Sequence, residues 1–211
     1  MKVGGRAIDH LVYVVPDFEA GISQIRQLFG MDPKIGGKHP TQGTQNALIH
    51  LGDTCYFEIL AVDEKNIDIL PPRWMGIDLI QVPTLSRWCL KSDKLEEDAA
   101  GLKRYYTPLS EVMDGKRRLP TGDILEWKLS LPLAEPEVEV IPFFIDWKNS
   151  QAHPTDHLAE GCHLENIRFS HPKPEKIEKL FHELGISINI EKSDFPRISA
   201  HIQTPNGLIS L

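Results

Sequence analysis

A strand, a helix and an antiparallel meander follow one another three times along this chain, and that repetition limits the possible folds more than any other feature. In the first pass, residues 8–15 read as a strand, with Ile8, His10, Val12 and Val14 on one face by the two-residue period. Pro16 and Asp17 stop it, and Asp17 is placed to cap a helix. Phe18, Ile22, Ile25 and Leu28 recur at helical spacing until Gly30. A glycine-rich loop, Gly36-Gly37-Lys38-His39-Pro40, leads to strands at 46–51 and 54–62 joined by a Gly52-Asp53 turn. The second pass runs through a strand at 85–91, a cap at Ser92 and a helix at 94–100 closed by Gly101. It continues with a turn at Pro120-Thr121-Gly122-Asp123 and strands at 124–131 and 138–147. The third has a strand at 164–170, a helix at 175–184 stopped by Gly185, strands at 186–190 and 198–204, and an Asn206-Gly207 turn before Leu208.

This order predicts an α+β fold of repeated βαβββ modules at 1–69 and 84–147, with a shortened third module at 161–211, joined in one compact unit. The spacers at 70–83 and 148–161, rich in Pro and polar residues, are the natural module boundaries. At 211 residues and 41% hydrophobic, the chain has material for a substantial core. A net charge of −7 speaks against a general nucleic-acid binder, and the one basic run, Lys116-Arg117-Arg118, reads as a solvated hairpin end. Cys55, Cys89 and Cys162 are odd in number and lack CxxC spacing, so no disulfide framework is expected. Without a signal-like apolar start or a run near the ~18 apolar residues of a spanning helix, the expectation is a cytoplasmic protein with no membrane partner.

The opening Ile8-Asp9-His10-Leu11-Val12-Tyr13-Val14-Val15-Pro16-Asp17, the Gly-Gly-Lys-His-Pro loop, Tyr56-Phe57-Glu58-Ile59, Pro142-Phe143-Phe144-Ile145-Asp146-Trp147 and His153-Pro154 occur in order along the chain. Together they resemble the vicinal oxygen chelate superfamily, the glyoxalase/bleomycin-resistance/dioxygenase group, and within it the glyoxalase-like proteins. The resemblance implies paired modules whose mixed sheets curl into a cup. It also implies one divalent metal, held by a His on a module's first strand and a Glu on its last. Members of the group are lyases, isomerases or oxygenases, or metal-free proteins that sequester a drug.

His10 falls on the first-strand position and Glu58 on the last-strand one. Each interrupts an otherwise apolar strand face, and a carboxylate placed there needs a charge partner or hydrogen bonds. A plain His–Glu hydrogen-bonded pair would serve as well. Opposite them the second module offers Arg87 or Trp88 and the Phe143–Ile145 stretch, and the third offers Glu165 or Asn166, so the four-ligand set of the glyoxalases is incomplete.

Three groups can still hold a catalytic metal (Zn, Fe, Mn, Co or Ni), with His39 the candidate third ligand and His153 a possible one. Without metal, His39 or His10 could act as general base with Glu58 orienting it. Glu58 and His39 are therefore the catalytic candidates, and Thr44, Asn46, Trp74 and Trp147 the candidate contacts to a small oxygenated ligand. Arg73 could hold a carboxylate. No nucleotide cofactor is implied. The shortened third module exposes a strand edge, which favours a homodimer.

Overall fold

The computed structural model describes residues 1–118 and 124–211, so the predicted turn at Pro120-Thr121-Gly122-Asp123 lies outside the described residues. A short strand β1 (Lys2–Val3) pairs with β2 (Arg6–Val14), followed by α1 (Phe18–Phe29), β3 (Lys34–His39), β4 (Thr44–His50) and β5 (Tyr56–Val62). The second unit comprises β6 (Thr84–Lys91), α2 (Leu95–Leu102), β7 (Val112–Arg118), β8 (Ile124–Ser130) and β9 (Phe143–Asp146). The third comprises β10 (His163–His171), α3 (Pro174–Glu183), β11 (Ile190–Lys192), β12 (Arg197–Thr204) and β13 (Gly207–Ser210). This is an α+β fold whose main sheet is mixed and curled.

The first two units share that sheet, in the order β3-β4-β5-β2-β6-β9-β8-β7. Its spine is the antiparallel β2/β6 pair, and in each unit the last strand runs parallel to the first, β5 beside β2 and β9 beside β6. The third unit forms its own sheet, β11-β10-β12-β13, with β10 between a parallel and an antiparallel partner.

Side-chain alternation gives the main sheet two different faces. Ile8, Leu11, Tyr13, Phe57, Trp88 and Leu90 belong to the larger core, which continues into the helices and the third sheet. Trp88 carries this contact: its ring lies 4.6 Å from Phe169, and its Nε1 donates to the Val140 carbonyl at 2.7 Å. The concave face holds a smaller cluster that includes Val12, Val14, Leu60, Cys89, Phe143 and Ile145.

Helix α1 begins and ends where its sequence predicts. Asp17 accepts from the Ala20 N–H at 2.8 Å, and Gly30 closes the helix at φ 70°. Elsewhere the local signals mislead. The expected glycine loop at 36–40 is largely strand β3. Gly101 lies inside α2 instead of ending it. Only 143–146 of the expected 138–147 strand pairs, and only 190–192 near the expected 186–190 strand. The segment before β9 departs from the sheet because its carbonyls face the buried Arg87, whose guanidinium donates to the carbonyls of Ser86, Leu133, Pro136 and Glu137. Arg87 and Trp88 are thus structural, and neither lies opposite His10. No helix among the described residues is long and apolar enough to cross a membrane.

Candidate active site

The concave face of the curled sheet encloses a cavity of about 40 Å³, room for about three water molecules. His10, Asn46, Tyr56 and Glu58 line it from the first unit, and Arg117, Trp127, Phe143 and Ile145 from the second. His39 and Trp74 close the rim, and Trp147 forms part of the wall. Of the residues expected from the sequence, His10, His39, Asn46, Glu58, Trp74 and Trp147 therefore meet in one place. Thr44 and His153 stand one layer back: Thr44 Oγ1 bonds His39 Nδ1 at 3.0 Å, and His153 lies beside Trp147 with ring centroids 5.2 Å apart. Arg73 lies outside the cavity lining. It pairs with Asp78 and donates to the Ile69 carbonyl, bracing the turn that carries Trp74.

A register shift explains a residue that alternation hides. Between Ile8 and His10 the pairing of β2 with β6 slips by one residue, so Ile8 and Leu11, three apart, both face the outer core. Asp9 and His10 then turn to the same side, and the Asp9 carboxylate bonds His10 Nδ1 at 2.6 Å. Asp9 is fully buried and also accepts from Trp147 Nε1 at 3.0 Å and His153 Nε2 at 3.2 Å, with Lys91 Nζ at 3.4 Å. Burial alone would push its carboxyl up. The hydrogen bonds from His10 and His153 outweigh that and hold it well below the usual carboxylate range. The ionised Asp9 is an acceptor only, so it fixes a proton on His10 Nδ1 and with it the orientation of the ring. Tyr56, stacked at 4.6 Å, and Phe143, edge-on at 5.3 Å, hold the ring from both sides.

Nε2 of His10 faces Glu58 Oε2 across 3.8 Å. The other Glu58 oxygen accepts from Asn46 Nδ2 at 2.6 Å, and Asn46 Oδ1 accepts from Arg117 Nη1 at 2.9 Å. Arg117 belongs to the run read as a solvated hairpin end, yet it is buried. Its position depends on sheet curvature, which brings β7 against β3 at the far ends of the strand order. Gly36 and Gly37 make that approach possible. A Cβ on Gly36 would lie 2.3 Å from Asn46 Oδ1, and one on Gly37, at φ 138°, would lie 3.1 Å from Arg117 Cδ.

Two ligand atoms are available to a cation in the cavity, His10 Nε2 and Glu58 Oε2. Asp9, His10 and Cys89 also bring ligand atoms within 4.8 Å of one another. Both Asp9 oxygens, however, already accept from N–H donors, and burial pushes the Cys89 thiol well up, so it stays protonated and directs its Sγ to the Leu90 carbonyl at 3.7 Å. The pairing register places Cys89 directly across from His10, correcting the expected Arg87 or Trp88, because the bulge at Asp9 displaces the alignment. Parallel pairing likewise places Ile145 two residues beyond the Cys89 partner Phe143, as Glu58 stands beyond the His10 partner Tyr56. Among the described residues, the second unit thus adds no charged ligand at these positions. A ligand histidine whose other nitrogen is fixed by a carboxylate is nevertheless the arrangement that prepares imidazole for a metal, so the pair fits a divalent cation at two points.

His39 approaches the cavity from the rim, its ring 5.7 Å from Trp74. Part of the residue reaches solvent, but the imidazole is enclosed, and burial lowers its pKa from 6.5 to about 4. In chelator-treated protein the unfolded chain therefore takes up a proton near pH 6.5 that the folded chain refuses until about pH 4, so stability falls as pH is lowered through that window. The depressed Asp9 adds a further loss through the ordinary carboxylate range. Urea midpoints are expected to drop between pH 7 and pH 4.5, and His39→Gln to flatten the upper part of the drop. Equal midpoints at pH 7 and pH 5 in the unsubstituted protein would contradict this.

A cup of two paired βαβββ units, with His on the first strand and Glu on the last strand of one of them, defines a protein of the vicinal oxygen chelate superfamily. The chain belongs to the glyoxalase-like domain family, whose profile matches residues 8–185. Among solved structures it is similar to a hypothetical protein from Staphylococcus aureus, at 15% identity over 96% of this chain and 97% of that one, with a TM-score of 0.67. It also aligns with two methylmalonyl-CoA epimerases. The one from Streptomyces coelicolor, bound to 2-nitronate-propionyl-CoA, shows 14% identity over 69% and 97% of the two chains, TM-score 0.43. The one from Mycobacterium tuberculosis shows 15% identity over 66% and 85%, TM-score 0.40. No curated protein matches the sequence.

Proposed function

We propose that the chain is a small-molecule enzyme of the glyoxalase-like type, a lyase, isomerase or oxygenase acting on an oxygenated metabolite, with a divalent cation held by His10 and Glu58. The observation that carries this reading is the convergence of two potential ligand atoms, His10 Nε2 and Glu58 Oε2, at 3.8 Å in the cavity, with the other imidazole nitrogen held by the Asp9 carboxylate. A cation held there would supply Lewis acidity towards a substrate oxygen.

The chain's own residues do the remaining work. Asn46 holds Glu58 Oε1 and so fixes Oε2 towards His10, as a ligand when a cation is bound and as a proton acceptor when it is not. His39, neutral at pH 7, offers a ring nitrogen at the rim as third ligand or as hydrogen-bonding partner to the substrate. Asn46, Trp74 and Trp147 shape the space around it and, with Trp127, keep water out. A homodimer, closing the open edges of the second sheet at β11 and β13, belongs to the same proposal.

A metal-free binding protein of the bleomycin-resistance type is the second reading, favoured by Cys89 and Ile145 standing where a second pair of ligands would be. Metal analysis of protein purified without chelator separates the two. About one divalent ion per chain is expected, lost in both His10→Ala and Glu58→Ala while their melting curves remain cooperative. A metal-free parent protein whose ligand binding is unchanged in both variants sinks the enzyme reading.

A further inference from the structure

Among the residues closing the cavity, two donors have no partner: Arg117 Nε and Trp74 Nε1. Both residues are more than nine-tenths buried, and both line the same small space. A buried N–H left unpaired costs free energy, and a buried guanidinium costs more, so two orphans at one cavity call for an acceptor that the described residues do not supply. Arg117 is also short of charge compensation. Its Nη1 reaches the neutral Asn46, and no described carboxylate lies within 4 Å of the guanidinium.

Backbone geometry at the rim supports the same conclusion. Met75, next to Trp74, sits at φ 60°, a left-handed conformation unusual for a side chain of its size. Strain of this kind is retained where it fixes a neighbouring group, and here it fixes Trp74 over the cavity. On the opposite side, Gly36 and Gly37 give up their side chains to let Arg117 pass. Both donors are therefore brought to the cavity by unusual backbone.

We infer that the ligand of this cavity is a small carboxylic acid, its carboxylate received by Arg117 Nε and Trp74 Nε1 and its remaining oxygen directed to the His10–Glu58 side. The inference deepens the proposed function by naming a substrate class, and it rests on that reading only for the fate of the bound acid. A carboxylate suits the site better than a phosphate. The cavity holds about three waters, and guanidinium N–H groups match a planar carboxylate.

Isothermal titration with glyoxylate and pyruvate, their neutral counterpart hydroxyacetone, and inorganic phosphate tests the inference. It is run on the protein as purified and again after chelation, so that the answer does not depend on a metal. The acids are expected to bind at least about tenfold more tightly than hydroxyacetone. That preference should vanish in Arg117→Gln and shrink several-fold in Trp74→Phe, which keeps the ring and deletes only the N–H. Arg117→Lys retains part of the preference through its charge and serves if Arg117→Gln does not fold. Equal binding of acid and neutral analogue, an unchanged preference in the Arg117 variants, or tighter binding of phosphate overturns the assignment. A metal-free protein that still shows the Arg117-dependent preference leaves this inference standing and removes only the proposed reaction.

Discussion

Replacing Asp9 by Ala is expected to destabilise the protein by about 3–5 kcal/mol, because it strips the acceptor from a buried cluster of donors. Trp147 Nε1 and His153 Nε2 both donate to this one carboxylate, His10 Nδ1 bonds it, and Lys91 lies beside it. The His153 ring is committed to this geometry, since its Nδ1 accepts from the Thr155 N–H at 3.3 Å and its proton must therefore sit on Nε2. Asp9→Asn preserves volume but presents an amide to N–H groups, so it should recover little of the stability. The two variants also separate structure from function. Asp9→Asn no longer fixes the His10 proton on Nδ1, and loss of such an outer partner typically weakens metal binding by about 10- to 100-fold. Urea denaturation reads the first effect and metal competition the second. An Asp9→Asn protein as stable and as metal-retentive as its parent would show that the Asp9 cluster organises nothing.

Arg87→Met is expected to cost a comparable amount, about 3–5 kcal/mol, for a reason far from the cavity. The Arg87 guanidinium is buried and donates to four carbonyls, three of them in the stretch between β8 and β9. Burial lowers its pKa to about 10, still high enough to keep it charged at neutral pH. Met fills the volume but satisfies none of those oxygens, and the stretch then keeps only its contacts near β9, from Trp88 Nε1 to the Val140 carbonyl and from the Glu139 N–H to Ser86. Lys keeps the charge, but one ammonium cannot reproduce a planar fork, so Arg87→Lys should regain only part of the loss. Protease cleavage near 131–142 should rise in both variants along with the lower urea midpoint. Wild-type midpoints in Arg87→Met would show that the four carbonyls find water at no cost.

The sequence makes some of this architecture legible and hides the rest for identifiable reasons. His10 and Glu58 are visible because each breaks an apolar alternation, and α1 because its cap, its spacing and its terminal glycine agree. Asp9 is hidden because strict alternation sends it to the outer face, and only the slip against β6 returns it to the site. That slip also shifts the partner of His10 from Arg87 or Trp88 to Cys89. Arg117 is hidden more deeply. Nothing near it in sequence says that the sheet curls until β7 meets β3, and three adjacent basic residues ordinarily mark a solvated turn. Gly36-Gly37 does carry a signal, but of close approach between two distant strands, and local reading takes it for a loop.

The two ends of the curled sheet are held to each other differently from its middle. Along the spine, β2 and β6 are paired by a backbone ladder, bulged but running the length of both strands, whereas β3 and β7 are not ladder partners: Arg117 of β7 lies against Gly36 and Gly37 of β3 and donates to Asn46 of the neighbouring β4. A space for about three waters must widen to admit a metabolite, and the seam at the rim can part at the smallest cost. The bond broken there belongs to the same relay that positions Glu58. Entry of a ligand and the placing of the carboxylate are therefore mechanically linked: the cup that stands open is also the cup whose Glu58 is slack.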